Sequence, residues 1–213
     1  MIKAVIFDFD GVIVESAHIK TAAFRQLFSA WPSQLAEQGV AHHLKNTGIT
    51  RFVKFRYFYE HILKETYTAD IEKELSSKFE QIVFEQVVSA PLVKGAEEFL
   101  KQHKSQYKFF IASGTPDSEL QLIVRQKGLS NYFERIHGAP ATKDKIIRSI
   151  MADFHYGLNE VVFIGDGESD LKAAQATGVK FIFRVTKENQ HVIPLVSDMI
   201  NDLEALESKL RLL

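Results

Sequence analysis

The chain has 213 residues, 46% of them hydrophobic, a formal net charge of -1 and no cysteine. That length suits one medium domain or a domain carrying a large insertion. It leaves no general basic face for nucleic acid, and no disulfide, thiolate metal site or cysteine nucleophile. No apolar run approaches the length needed to cross a membrane, and the N-terminus enters a strand with no basic start and apolar run of a secretory signal. A cytoplasmic protein that binds neither membrane nor nucleic acid is therefore expected.

Lys3 to Phe9, in "KAVIFDFDGVIVES", reads as a buried strand. It ends in Asp8 and Asp10, two residues apart and followed by Gly11. Two apart on a strand is one side, so the pair should share a face. Two carboxylates held together repel, and their burial is costly unless a cation or hydrogen bonds compensate. One of them can bind a divalent cation and attack an electrophile, and the other can move a proton. Gly11 permits a sharp turn beside them.

From Ser16 to Ala90 the chain reads almost wholly as helix. Ile19, Ala22, Ala23 and Leu27 form one stripe. Phe52, Phe55, Tyr59, Ile62 and Leu63 form a second, and Ile71, Leu75, Phe79, Ile82, Val83 and Val87 a third. Trp31-Pro32 and Gly48 punctuate between them. His42 and His43 are adjacent, so they diverge on a helix and read as surface.

From Pro91 strands and helices alternate. "YKFFIASG" is an apolar run ending in Ser113-Gly114, with helix from about Asp117 to Lys127. "EVVFIGDG" is another strand, ending at Gly165-Asp166, with helix from about Asp170 to the stop at Gly178. "VKFIFRV" is a further strand. Continuous apolar strands alternating with helices imply a parallel sheet covered on both faces, the α/β class. The core is expected in residues 1–14 and 91–213, with a helical insertion over 15–90.

Polar residues recur where these strands end: Asp8 and Asp10, Ser113, Asp166. That edge is where open α/β sheets bind ligands. In "GDGESD", Asp166, Glu168 and Asp170 offer oxygen ligands dense enough for a hard cation such as Mg²⁺. Asp170 serves equally well as a helix N-cap, and Glu168 reads as solvated. In "IASGTP", the Ser113 hydroxyl and the amides around Gly114 and Thr115 can hold an oxyanion. "HGAPATKDK" offers Lys143 or Lys145 to neutralise the acidic cluster.

These motifs, in this order, resemble those of the haloacid dehalogenase (HAD) superfamily. "DFDGV" looks like its first motif, Ser113 in "IASGT" its second, a lysine near a helix start its third, and "GDGESD" its fourth. The resemblance covers the whole chain. It implies a HAD-like Rossmannoid core with an inserted α-helical cap. It further implies a Mg²⁺-dependent phosphatase acting on a small phosphorylated metabolite such as a sugar phosphate, as monomer or homodimer. Asp8 would be the nucleophile that forms an aspartyl-phosphate. Asp10 would protonate the leaving oxygen and then activate water. Mg²⁺ would bind Asp8, the backbone carbonyl of Asp10, and Asp166, with Asp170 in support. Ser113 and the lysine would hold phosphoryl oxygens, and Lys143 matches the motif better than Lys145. "GITR" is similar to a cap segment of the β-phosphoglucomutase branch, which would make Arg51 a substrate-binding residue. In "ESAHIK" the histidine common among relatives stands two residues early, as His18, and Lys20 takes its place. A phosphosugar mutase and a non-catalytic binding protein on the same fold are the alternatives. The second would require a broken motif, and none is broken.

Overall fold

Six parallel strands form the one sheet of this protein, in the spatial order β3-β2-β1-β4-β5-β6. The computed structural model describes residues 1–213. In chain order, β1 is Ala4–Phe7. Then come α1 (Ala17–Phe28), α2 (Ser33–Lys45), α3 (Arg51–Tyr57), a π-helical turn (Phe58–Leu63) and α4 (Ala69–Ser89). The chain continues through α5 (Ala96–His103), β2 (Lys108–Pro116), α6 (Asp117–Gln126) and β3 (Arg135–Ala139). It ends with α7 (Lys143–Asp153), β4 (Val161–Gly165), α8 (Glu168–Thr177), β5 (Lys180–Arg184), β6 (Met199–Ile200) and α9 (Leu206–Leu212).

The central strands are apolar because both faces are covered. Val5, Phe7, Phe109, Ile111, Val162 and Ile164 belong to one apolar cluster with Phe99 of α5 and Leu120 and Ile123 of α6. Their alternates Ala4, Ile6, Phe110, Ala112, Val161 and Phe163 face the other way, onto Ile146, Ile147 and Ile150 of α7 and Ala173 and Ala174 of α8. The first cluster continues without a break into the helices between β1 and α5. Two short strands lie outside the sequence reading. β3 has only two buried residues and carries Arg135 and His137, and β6 is two residues long. Neither presents an apolar run to detect.

Register decides what meets at the carboxyl edge. Phe7 lies opposite Ile111 of β2 and Ile164 of β4. The residues just beyond these three levels are Asp8, Ser113 and Asp166. From β3 at one edge the chain returns past β1 to start β4, so the strand order reverses around β1, and a crevice opens there. β1 ends at Phe7, so Asp8 and Asp10 are not successive inward positions of one strand. Asp10 sits in the loop beyond, in an isolated bridge with Val14.

The helices between β1 and α5 follow the apolar stripes with two shifts. On α1 the buried residues are Ile19, Ala23, Phe24, Leu27 and Phe28, while Ala22 is exposed. The π-helical turn adds residues per turn and rotates the face. Phe55, Phe58 and Tyr59 become buried, while Phe52, Ile62 and Leu63 stay half-buried. Phe58 stacks on Phe28 at 4.1 Å and meets Trp31 edge-on at 5.1 Å. On α4, Thr68 caps the Ile71 amide at 3.3 Å, and Leu75, Phe79, Val83 and Val87 are buried at strict fourfold spacing.

His43 corrects the sequence expectation: it is buried, not at the surface. Its ring stacks on Phe24 at 4.3 Å. Its Nδ1 lies 2.9 Å from Lys54 Nζ and its Nε2 3.0 Å from Thr21 Oγ1, so it ties α1, α2 and α3 together. His42 is half-buried, with its ring stacked on Tyr57 at 3.6 Å. Adjacent helical residues diverge, but α2 is covered on both sides here.

Burial first, and the Lys54 charge next, push the His43 pKa down to about 2 from its ordinary 6.5. The folded chain therefore keeps His43 neutral where the unfolded chain would protonate it. The stability this withholds is fully present above pH 6.5 and is lost as pH falls toward the folded value. At pH 5 the loss is on the order of 2 kcal/mol. Thermal unfolding midpoints at pH 7.5 and pH 5 should therefore separate more in the wild type than in His43→Gln, which keeps an acceptor and removes the titration. Equal separations would refute the neutral buried histidine.

Candidate active site

Asp8 follows β1 directly, and its amide donates to Ile164 O of β4 at 2.8 Å, which fixes it between strands. Its Oδ1 accepts from the Phe9 amide at 2.6 Å and its Oδ2 from Lys143 Nζ at 2.8 Å. Lys143, the first residue of α7, is buried and also pairs with Asp170. Lys145 is exposed on the same helix. Of the two lysines the sequence offers, Lys143 is the one whose side chain reaches the acidic cluster.

Carboxylate oxygens of Asp8, Asp166 and Asp170 lie within 4.8 Å of one another, all three residues buried. At that separation, and an effective dielectric near 20, each like-charge pair costs about 3–4 kcal/mol. One ammonium cannot balance three carboxylates. Burial, then the Asp170 and Asp10 charges, raise Asp8 to about 7 against the pull of Lys143. Burial and the Asp8 and Asp170 charges raise Asp166 well above the usual carboxylate range. Hard oxygen donors with a deficit of positive charge fit a divalent cation such as Mg²⁺. Asp170 is the least free of the three. Its Oδ2 accepts from the Gly167 amide at 2.9 Å and the Asp166 amide at 3.2 Å, and its Oδ1 from Lys143. It caps the loop and holds the lysine at once. Glu168 faces outward and pairs with Lys172 at 2.7 Å.

The Asp10 carboxylate stands apart from this trio. It accepts from Lys20, from Ser16 Oγ at 2.7 Å and from Thr115 Oγ1 at 2.8 Å. Burial alone would raise its pKa. The Lys20 charge and these hydrogen bonds outweigh that and hold it below the ordinary value. The Asp10 side chain is thus held by one cation and two hydroxyls, in a setting unlike that of the carboxylate trio.

Gly11 has φ +76°, and a Cβ there would lie 2.1 Å from Asp166 Oδ2. The turn and the carboxylate share that space, so only glycine serves. Ser113 is buried, and its Oγ accepts from the Thr115 amide at 3.2 Å. The Thr115 hydroxyl is spent on Asp10 and Lys20. A Cβ on Gly114 would come within 2.7 Å of Gly48 O, so the loop before α3 closes directly over this turn. Ser169 Oγ donates to Thr47 O at 3.0 Å and fastens the same loop to the start of α8. Arg51, at the start of α3, pairs with Glu119 of α6 at 2.6 Å and lies over the Phe79 ring at 4.5 Å.

Asp8, Asp10, Ser113, Gly114, Thr115, Asp166 and Arg51 all line one cavity. Lys20, Lys54 and His43 line it too. Sequence reading noted Lys20 only as a departure and passed over Lys54. A lysine among aromatic positions of a helix, "RFVKFRYF", was the available signal. Two supports from the far end of the chain also went unread. Arg184 donates to Gly11 O at 2.9 Å and holds Glu15 with both amino groups. Asn189 donates to Asp166 O at 2.8 Å.

This chain is similar to several known proteins. A phosphoglycolate phosphatase of Colwellia psychrerythraea is 24% identical over 83% of this chain and 81% of that protein. A phosphorylated carbohydrates phosphatase of Thermotoga maritima is 22% identical over 86% of this chain and 85% of its own length. The crystal structure of a predicted phosphoglycolate phosphatase from Haemophilus somnus superposes with a TM-score of 0.77 at 16% identity, over 98% of this chain and 97% of that one, which establishes the shared fold. The family model of haloacid dehalogenase-like hydrolases matches residues 5–184, and with that span this chain belongs to the haloacid dehalogenase-like hydrolases.

Proposed function

We propose that this hydrolase is a Mg²⁺-dependent phosphatase of small phosphorylated metabolites, acting through a phosphoryl group carried on Asp8. The observation that carries the reading is the separation of two carboxylates into unlike settings. Asp8 faces Lys143 and Asp166, while Asp10 is held by Lys20, Ser16 and Thr115. Two titratable groups with opposed environments divide nucleophile from proton carrier. The names of the curated relatives, a phosphoglycolate phosphatase and a phosphorylated carbohydrates phosphatase, support the substrate class.

In this reading an Asp8 oxygen attacks phosphorus, the bond from phosphorus to the substrate oxygen breaks, and Asp10 gives that oxygen a proton. Asp10 is ionised in the empty pocket. The negative charge of an arriving phosphate raises its pKa and lets it enter protonated. Water then attacks phosphorus, Asp10 takes the proton back, and Asp8 is released with inorganic phosphate. Lys143, Ser113 and the amides near Gly114 hold phosphoryl oxygens as charge shifts between them. Asp8, Asp166 and the backbone of Asp10 would hold Mg²⁺, which supplies charge neutralisation when bound. The loop at Gly48, closed over Gly114, keeps bulk water away and limits substrates to small molecules.

Phosphate release from a panel of small monoesters, with and without Mg²⁺, tests this. Release should need the metal and fall roughly a thousandfold or more in Asp8→Asn. Release from no compound, or release that survives Asp8→Asn, would sink the reading. A mutase would consume sugar 1-phosphates while releasing almost no phosphate.

The two lysines of α7 give a second test. Lys143→Met should lower kcat by about 100- to 1000-fold, as loss of a buried charge stabiliser does, and should also cost stability. Lys145→Met should leave kcat within about twofold, as surface changes do. Equal effects would mean that Lys143 is not the phosphoryl-holding residue.

A further inference from the structure

The cations around the cavity are not equivalent. Lys143 has Asp8 and Asp170, Lys20 has Asp10, and Arg51 has Glu119. Lys54 has no carboxylate. It is 4% exposed, its Nζ lies 5.2 Å above the Phe24 ring, and its one hydrogen-bond partner is His43 Nδ1 at 2.9 Å. Burying an ammonium with no counter-charge is expensive, and a protein keeps such a group where an anion will meet it.

The hydrogen bonds set the roles within this chain of groups. An ammonium only donates, so His43 Nδ1 must accept. His43 Nε2 then carries the hydrogen and donates to Thr21 Oγ1 at 3.0 Å, and that hydroxyl donates to Ala17 O at 3.3 Å. Lys54 is thus held from behind by three helices while lining the cavity that Asp8 and Ser113 also line. Arg51, three residues earlier on α3, shares its face. Arg51 Nη2 is held by Glu119, while Nη1 is buried without a partner.

Resting on the phosphatase reading above, we propose that Lys54 receives the second, non-reacting anionic group of the substrate, a carboxylate or a second phosphate, and that His43 is its positioning residue. The preferred substrates are then phosphate monoesters with a compact anion at the end remote from the reacting phosphate. Uncharged phosphorylated compounds of the same length bind weakly, because they leave the ammonium buried and unanswered. The charge environment agrees. Burial, and the Lys20 and Lys143 charges, pull Lys54 down to about 7 against the opposing pull of Asp10 and Asp166. An arriving anion reverses that balance.

Three compounds on a two-carbon skeleton test this: ethyl phosphate, phosphoglycolate and ethylene glycol bisphosphate. In the wild type, kcat/KM for at least one charged compound should exceed that for ethyl phosphate by about thirtyfold or more. In Lys54→Met, and in Lys54→Gln if the first is poorly folded, the ratio should fall to about threefold or less. His43→Gln should lower the same ratio, with the loss in KM rather than kcat. Which charged compound is preferred distinguishes carboxylate from phosphate. A wild type indifferent to the second charge, or a ratio that survives both Lys54 substitutions, would overturn the proposal. Equilibrium binding of the same compounds in an Asp8→Asn background separates the two readings. If nothing is turned over, yet charged compounds bind better and Lys54 substitution removes the preference, the phosphatase reading fails and the subsite stands. If turnover is seen and the ratio ignores Lys54, the reverse holds.

Discussion

The ammonium of Lys143 is the interaction on which the rest of this site depends. It sits between Asp8 and Asp170 with all three groups buried. Removing one partner from such a group leaves an uncompensated charge at a cost of about 3–5 kcal/mol. The three come from the residue just after β1, from the start of α7 and from the first turn of α8. Each position follows from parallel register in the sheet. The fold brings these charges together, and the charges in turn fix how the loops leave the strands. Asp170 shows the economy of this: one carboxylate orders the turn after β4 through two amides and holds the lysine with its other oxygen.

Around that centre the positive groups are divided rather than pooled. Asp8, Asp10, Asp170 and Glu119 each have a cationic partner and Asp166 has none, while Lys20, Arg51 and Lys143 each have a carboxylate and Lys54 has none. Asp166 and Lys54 are thus two buried groups that the protein leaves without an opposite charge. A divalent cation would answer the first, and an anionic end of a substrate the second. The helices between β1 and α5 contribute Lys20, Arg51 and Lys54, whereas the strand ends contribute the carboxylates.

Much of this was legible in the chain. Continuous apolar runs before Asp8, Ser113 and Asp166 announced parallel strands and the edge where they end. The fourfold spacing of α4 was plain in Leu75, Phe79, Val83 and Val87. The failures have physical causes. β3 and β6 lie at the margin of the sheet, where few residues are buried and no pattern is required. The π-helical turn at Phe58–Leu63 changes the helical period, so a stripe counted at constant period drifts off Phe58. His43 and Lys54 are polar residues buried by partners distant in sequence, and no local pattern records a partner. Arg184 and Asn189 act on Gly11 and Asp166 across the sheet, with the same result.

In the proposed reaction, Lys20 bears on how Asp10 is tuned as proton carrier. Lys20 donates both to Asp10 and to Thr115 Oγ1, and Thr115 donates to Asp10 in turn. A permanent positive charge there favours the ionised carboxylate, which suits the step in which water must lose a proton. It disfavours the step in which Asp10 must give one. A substrate bringing enough negative charge offsets this, because each anionic oxygen near Asp10 stabilises its protonated form. In the proposed reaction Lys20 thus ties the proton exchange at Asp10 to the anionic character of what the pocket admits.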